Sequence, residues 1–131
     1  IDLDRFREVN IRYGAVAGDA VIANVGATIQ RIAGSEAIAA RLSGDEFALF
    51  LPDGDSGRAA ALATRVQEET AALWLEFKPA PGAAPERLQI TMSVGVAVCP
   101  DQAATREDLI IAADQALYRA KEGGRNRVCL A

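Results

Sequence analysis

The sequence predicts an α/β fold of the α+β kind: a central mixed sheet of about five strands flanked by helices. Three observations carry this. The apolar periodicities run in the order βααββαβαβ, which combines an antiparallel hairpin with a parallel crossover. The stretch Arg41-Leu42-Ser43-Gly44-Asp45-Glu46-Phe47 lies between two apolar runs, residues 37–40 and 47–51, and Gly44-Asp45 supplies the positive-φ turn of a hairpin. With 131 residues, 50% apolar and 24% charged, the chain is one globular domain, able to bury on the order of two thirds of its extended surface.

Taken in order, Ile1-Asp2-Leu3-Asp4 alternates apolar and acidic residues, the period of a strand entered partway, and more chain is expected upstream. Over residues 5–13, Phe6, Val9 and Tyr13 fall three and four apart, a helical spacing that Gly14 ends. A second helix is expected to start at Gly18-Asp19, carry Val21, Ile22, Val25, Ile29 and Ile32 on one face, and stop at Gly34. Both strands of the following hairpin have the composition of buried strands. Asp53-Gly54-Asp55-Ser56 is a turn and helix cap, and residues 58–73 read as a helix with Leu62, Val66 and Leu73 inward. Residues 74–87 hold three prolines and a glycine between positions 78 and 85, which predicts a surface loop. Residues 88–98 alternate and are rich in β-branched side chains, which predicts one central strand. Thr105-Arg106-Glu107-Asp108 is a capping-box variant ahead of a long helix stopped by Gly123-Gly124, and residues 127–130 form a last strand.

Composition narrows the function. A net charge of −4 with only 5% aromatic residues excludes a nucleic-acid surface, which needs a basic stripe and stacking rings. A polyanionic ligand must then be met by a few placed cations or by a metal held on carboxylates. The absence of histidine removes imidazole acid–base chemistry and imidazole metal ligands. Cys99 and Cys129 have no zinc-type spacing and read as small apolar core residues of a cytoplasmic protein. No apolar run approaches the ~18 residues of a membrane span, so no direct membrane contact is expected.

Asp2 ends the first strand and Asp45 sits in the hairpin turn. If the strands are neighbours, the two carboxylates converge at one edge of the sheet, a hard-oxygen donor set suited to Mg²⁺. Either residue by itself also fits a solvated turn. The helix after Asp4 leaves the amides of Arg5, Phe6 and Arg7 free to meet an anion, as every helix start does. Asn10 and Asp19 bracket a helix junction. A carboxylate there accepts both donors of a guanine edge, and a turn residue with a helix cap would look the same. Lys121 and Arg125 flank Gly123-Gly124, where they either satisfy helix carbonyls or clamp triphosphate oxygens.

Together these residues resemble a known family. Asp2-Leu3-Asp4-Arg5-Phe6-Arg7, Asn10, Gly14, Gly18-Asp19, Ser43-Gly44-Asp45-Glu46-Phe47, Ser93-Val94-Gly95-Val96-Ala97, the run from Ala113 to Lys121, and Gly124-Arg125-Asn126-Arg127-Val128 occur in the order of the GGDEF domain. The resemblance spans essentially the whole chain. It implies a palm-like, ferredoxin-related sheet of the nucleotidyl-cyclase type and diguanylate cyclase activity, in which two GTP condense to cyclic di-GMP with release of pyrophosphate. It further implies Mg²⁺ (or Mn²⁺) on Asp2, Asp45 and the Leu3 carbonyl, and guanine read by Asn10 and Asp19. Phosphates would be held by the amides of Phe6 and Arg7 with Lys121 and Arg125, and Gly44 would border the nucleotide. Glu46 would steady the basic side chain at position 7 or assist proton removal. Each protomer would hold one GTP, so turnover needs a homodimer.

The sequence departs from the family at several points. Ser43 replaces the signature's first glycine, Arg7 a lysine, and Ile11 and Ala15 an aspartate and a histidine. The family's product-inhibition motif, Arg-x-x-Asp, falls on Gly34 to Ala37, which lacks both charged anchors, so no feedback site is expected there. Family members carry a helical segment ahead of the first strand that this sequence does not contain. The chain is accordingly expected to be a single domain of a larger signalling protein with a sensor or other domains. An alternative is a GGDEF-like module that binds GTP or a protein partner without turnover. A polymerase-like or adenylyl-cyclase relative is disfavoured by the guanine-reading pair.

Overall fold

The shortest strand holds the centre of the sheet. The computed structural model describes residues 1–131, and in it β1 (Asp2–Leu3) lies between β3 (Glu46–Phe50) and β6 (Met92–Val96), antiparallel to both. Strand β2 (Ile38–Ser43) pairs antiparallel with β3 at one edge, and β7 (Val128–Leu130) pairs parallel with β6 at the other. The order is β2-β3-β1-β6-β7, a mixed sheet of five strands as the sequence predicts. Around it lie α1 (Phe6–Tyr13), α2 (Ala15–Ala33), α3 (Ser56–Ala71) and α4 (Arg106–Glu122). No helix is long and apolar enough to cross a membrane.

Alternation along the strands sorts the two faces. Leu3, Phe47, Met92 and Val94 pack with Val21, Val25 and Ile29 of α2 and Val66 of α3 in one core. Gly95 points the other way, where the backbone of α4 at Ala113 and Leu117 lies against it. Helix ends follow the predicted chemistry: Asp55 accepts from the Arg58 N–H at 2.7 Å and Thr105 from the Asp108 N–H at 3.1 Å. Each side chain takes up a helix-start N–H that would otherwise lack a partner.

Five expectations are corrected. The segment 74–87 is not simply a loop: β4 (Trp74–Phe77) and β5 (Glu86–Gln89) form a separate two-stranded sheet, and the proline-rich stretch is only its connection. Leu75, Phe77 and Leu88 pack against the core, and Arg87 stacks 4.7 Å from the Trp74 ring. The single strand expected over 88–98 is two, because β5 pairs with β4 while β6 pairs with β1 and β7. A uniform β-branched run carries no mark of where the partner changes. Helix α2 starts at Ala15 rather than at Gly18-Asp19, and Gly18 is buried inside it. The hairpin is less buried than its composition suggests, since β2 is an edge strand with Ile38 and Leu42 exposed. Similarly, Cys99 is exposed and Cys129 half-buried, so neither is a core residue.

The β4–β5 hairpin is tied to α1 by a bidentate ion pair. Arg12 donates to Glu86 at 2.7–3.0 Å, and the Tyr13 hydroxyl donates to the same carboxylate at 2.8 Å. The Arg12 bond, then the Tyr13 bond, lowers the Glu86 pKa below its ordinary value of 4.5. With the folded value below the unfolded one, the contribution is complete above the ordinary glutamate range and is lost as pH falls through the lowered value. Melts across acid pH are therefore expected to show a stability loss that Glu86→Gln lacks. A variant with the wild-type acid profile would show that the pair contributes nothing.

Candidate functional site

Two carboxylate-bearing segments meet where β1 runs beside the hairpin turn. The Leu3 N–H donates to the Asp45 carbonyl at 3.2 Å, and Asp2 is the register partner of Glu46. Gly44 takes φ +31° in the turn, and the register shifts between Arg41 and Ser43, leaving one residue of β2 unpaired. Arg41 donates to the Gly44 carbonyl at 2.9 Å, which fixes the tip from beneath. Asp45 is half-buried and Glu46 exposed.

Lys121, near the end of α4, extends to β1 and bonds the Asp2 carboxylate at 2.8 Å. The pair is partly shielded, with side chains 34% and 15% exposed. The ammonium thus meets an acidic side chain of the central strand, where the sequence suggested helix carbonyls or phosphate oxygens. No group of three or more acidic, cysteine or histidine side chains gathers anywhere in the chain. A metal at this place would rest on two carboxylates and main-chain oxygen, with water and phosphate completing it, which is the way Mg²⁺ is ordinarily held. The donor chemistry fits.

The start of α1 has no side-chain cap, so none of its first-turn amides is taken up by a side chain. Asn10 packs over Gly18, where a Cβ would lie 1.9 Å from Asn10 Oδ1 and 3.2 Å from the Phe6 ring. Gly18 therefore leaves the room in which these two side chains sit. Gly18→Ala is expected to leave the melting temperature near wild type, since the roughly 1 kcal/mol helix-propensity gain offsets the shift of a movable side chain. The same change should weaken GTP binding severalfold by displacing Asn10. Unchanged affinity alongside unchanged stability would remove Asn10 from the site.

Arg7 and Asp19 are exposed and take part in no ion pair. Glu46 accepts from the Ser43 hydroxyl at 2.6 Å and forms no ion pair with Arg7. Arg125 follows α4 with φ +65°, and its N–H donates to the Ala120 carbonyl at 3.0 Å. At the position of the product-inhibition motif, Gly34 caps α2 and Ala37 is buried, so neither offers a charge.

Sequence reasoning missed Asp4. It is 8% exposed and accepts three hydrogen bonds, from the Ser93 hydroxyl at 2.7 Å, the Thr91 hydroxyl at 2.7 Å and the Asn126 N–H at 2.9 Å. The alternation Asp2-Leu3-Asp4 already places both acids on the face opposite Leu3, which was the available signal. A cavity of about 430 Å³ is bordered by Asp4, Arg5, Val9, Arg12, Tyr13 and Arg125.

Comparison with known proteins places the chain in a family. The family model described as diguanylate cyclase, GGDEF domain, matches residues 1–127. The probable diguanylate cyclase DgcT of Escherichia coli is 37% identical over 98% of this chain and 27% of its own length. The coiled coil and GGDEF domain of DgcB from Caulobacter crescentus, solved with c-di-GMP, superposes with a TM-score of 0.86 at 32% identity, covering 99% of this chain and 66% of that one. The GGDEF domain of PA1120 from Pseudomonas aeruginosa gives 0.87 at 33% identity, covering 99% and 78%. The chain spans about a third or less of the curated relatives DgcT and YhcK of Bacillus subtilis, at 27% and 34% of their lengths. A mixed five-stranded sheet, a Ser-Gly-Asp-Glu-Phe turn hydrogen-bonded to an acidic central strand, and a match over nearly every residue lead to one assignment: this chain belongs to the GGDEF family.

Proposed function

We propose that this chain is the cyclase domain of a larger signalling protein and condenses two GTP into cyclic di-GMP with release of pyrophosphate. The single observation that carries the reading is the hydrogen-bonded adjacency of Asp2-Leu3 and Asp45, with Lys121 on the Asp2 carboxylate. Asp2, Asp45 and the Leu3 carbonyl would hold Mg²⁺ or Mn²⁺. When bound, such an ion acidifies the attacking hydroxyl and screens charge on the phosphorus centre.

The chain's own residues do the rest. The first-turn amides at Phe6 and Arg7, with Lys121 and Arg125, hold the phosphate oxygens, and Gly44 borders the nucleotide. Lys121 must exchange Asp2 for a phosphate oxygen to do so. Asn10 and the Asp19 carboxylate accept the donors of the guanine edge. Glu46 is kept in place by Ser43 and is available for proton removal. One GTP per protomer makes the reaction a property of a homodimer, in which the 3′-hydroxyl of one nucleotide faces the α-phosphate of the other. Orientation and fixed charge then supply most of the acceleration, with no covalent protein intermediate.

One observation favours a second reading, a GTP-binding module without turnover: Ser43, where the family has glycine, occupies an oxygen of Glu46. Incubating the full-length protein with GTP and Mg²⁺ separates the two. Cyclic di-GMP from the protein and none from Asp45→Ala supports the enzyme. GTP binding without product supports the module, and neither result overturns both.

A further inference from the structure

Asp4 is an unusual residue energetically. Its carboxylate is buried without a cationic partner, its charge met only by two hydroxyls and one main-chain N–H. Burying an anion this way is costly compared with a neutral side chain of the same shape. What it holds explains why it is there.

The main-chain donor is Asn126, whose φ is +47°, and the residue before it, Arg125, has φ +65°. Consecutive left-handed residues that are not glycine are strained, Arg more than Asn, and persist only where surrounding bonds over-determine them. Four bonds do so here. The Gln67 amide donates to the Asn126 side-chain oxygen, and the Arg127 Nε–H donates to the Arg125 carbonyl at 3.1 Å. Two more start from the main-chain N–H groups of the pair. The Arg125 N–H is fixed to the Ala120 carbonyl at 3.0 Å, on the helix side, and the Asn126 N–H to Asp4 Oδ2 at 2.9 Å, on the sheet side. Asp4 is itself locked to β6 and the residue before it, since its own N–H donates to the Thr91 carbonyl at 2.9 Å and its Oδ1 accepts from Ser93. Its chain neighbour Arg5, which precedes α1, is also left-handed at φ +55°. Of the chain's four left-handed residues other than glycine, Arg5 adjoins Asp4 in sequence and Asn126 by hydrogen bond, and Arg125 is the residue before Asn126.

We infer that Asp4 is a positioning residue for the triphosphate: it pins the loop after α4 to the central strands and so sets where the Arg125 guanidinium is presented. The inference rests on the cyclase reading only in taking Arg125 to meet phosphate. Asp4 touches no substrate. It acts through the Asn126 amide, and its effect must disappear when there is no guanidinium to place.

A double-mutant cycle on the full-length protein tests this, read by equilibrium binding of GTP in Mg²⁺. Asp4→Ala is expected to weaken GTP binding about 10-fold in the wild-type background and less than about 2-fold in an Arg125→Ala background. Hydrogen exchange of the segment spanning residues 123–127 should accelerate in Asp4→Ala whether or not Arg125 is present. Asp4→Asn keeps an oxygen for the Asn126 N–H and the Thr91 hydroxyl, which share Oδ2, while the Ser93 hydroxyl can turn to accept from its amide. It should recover most of the affinity, and if the alanine variant does not fold, Asp4→Ser, too short to reach the Asn126 N–H, carries the same cycle. Equal weakening in both backgrounds means a merely structural carboxylate and overturns the inference, as does no weakening at all. If the unsubstituted protein fails to bind GTP, the cyclase reading itself fails and takes the inference with it. That outcome is distinct from a wild type that binds and an Asp4 variant that binds equally well.

Discussion

Asp45→Ala is expected to lower cyclic di-GMP formation by about three orders of magnitude while leaving the fold intact. The reason lies in how Asp45 divides its duties. Its carbonyl accepts the Leu3 N–H at 3.2 Å and so joins the hairpin turn to the central strand, a bond that alanine retains. Its carboxylate is one of the two on which the proposed metal site rests, the other being Asp2 on the neighbouring strand. Without it Asp2, paired with Lys121 at 2.8 Å, lacks its partner in the proposed site, and a divalent cation is expected to gain too little there to displace the ammonium. Product measured by chromatography, beside a circular dichroism melt, checks both halves of the expectation. Wild-type turnover by the variant would sink the metal assignment. Loss of the fold would show that the side chain serves the turn instead.

The second large effect belongs to packing. A Cβ on Gly95 would lie 2.1 Å from the Ala113 carbonyl oxygen and 2.3 Å from the Leu117 nitrogen, both backbone atoms of α4. Neither can rotate away, so the helix must lift from β6. Gly95→Ala is therefore expected to cost about 3 kcal/mol or more, a fall of roughly 10 °C in the thermal midpoint of a domain this size. The damage would reach the site, because Lys121 and the loop bearing Arg125 are the end of that same helix. Denaturant and thermal unfolding measure the stability change, and an alanine variant within 1 °C of wild type would show that α4 is not seated on Gly95 as described.

How legible each element was depends on where its bonds come from. The helices could be read because their hydrogen bonds are local and their apolar faces repeat every three or four residues. Caps at Asp55 and Thr105 were readable for the same reason: each partner is three residues away. The start of α2 was misplaced because Gly18 looks like a break, whereas it is a space for Asn10, a residue on another helix.

The sheet was a different matter. Nothing in residues 88–98 distinguishes the part that pairs with Trp74–Phe77 from the part that pairs with β1, since strand partners are chosen by packing and not by local composition. Likewise β2 and the cysteines carry apolar residues whose exposure depends on which edges stay uncovered.

By itself the amino-acid order determined the helices, the acidic hairpin turn, the family and the residue types available for chemistry. Those are properties of short windows and of motifs in register. Only the tertiary structure decided that Lys121 answers Asp2 and that Ser43 holds Glu46. It alone decided that Asp4 gathers partners 87, 89 and 122 positions away. A carboxylate's bonds are set by whichever donors the packed core brings within about 3 Å, and no local pattern encodes that meeting.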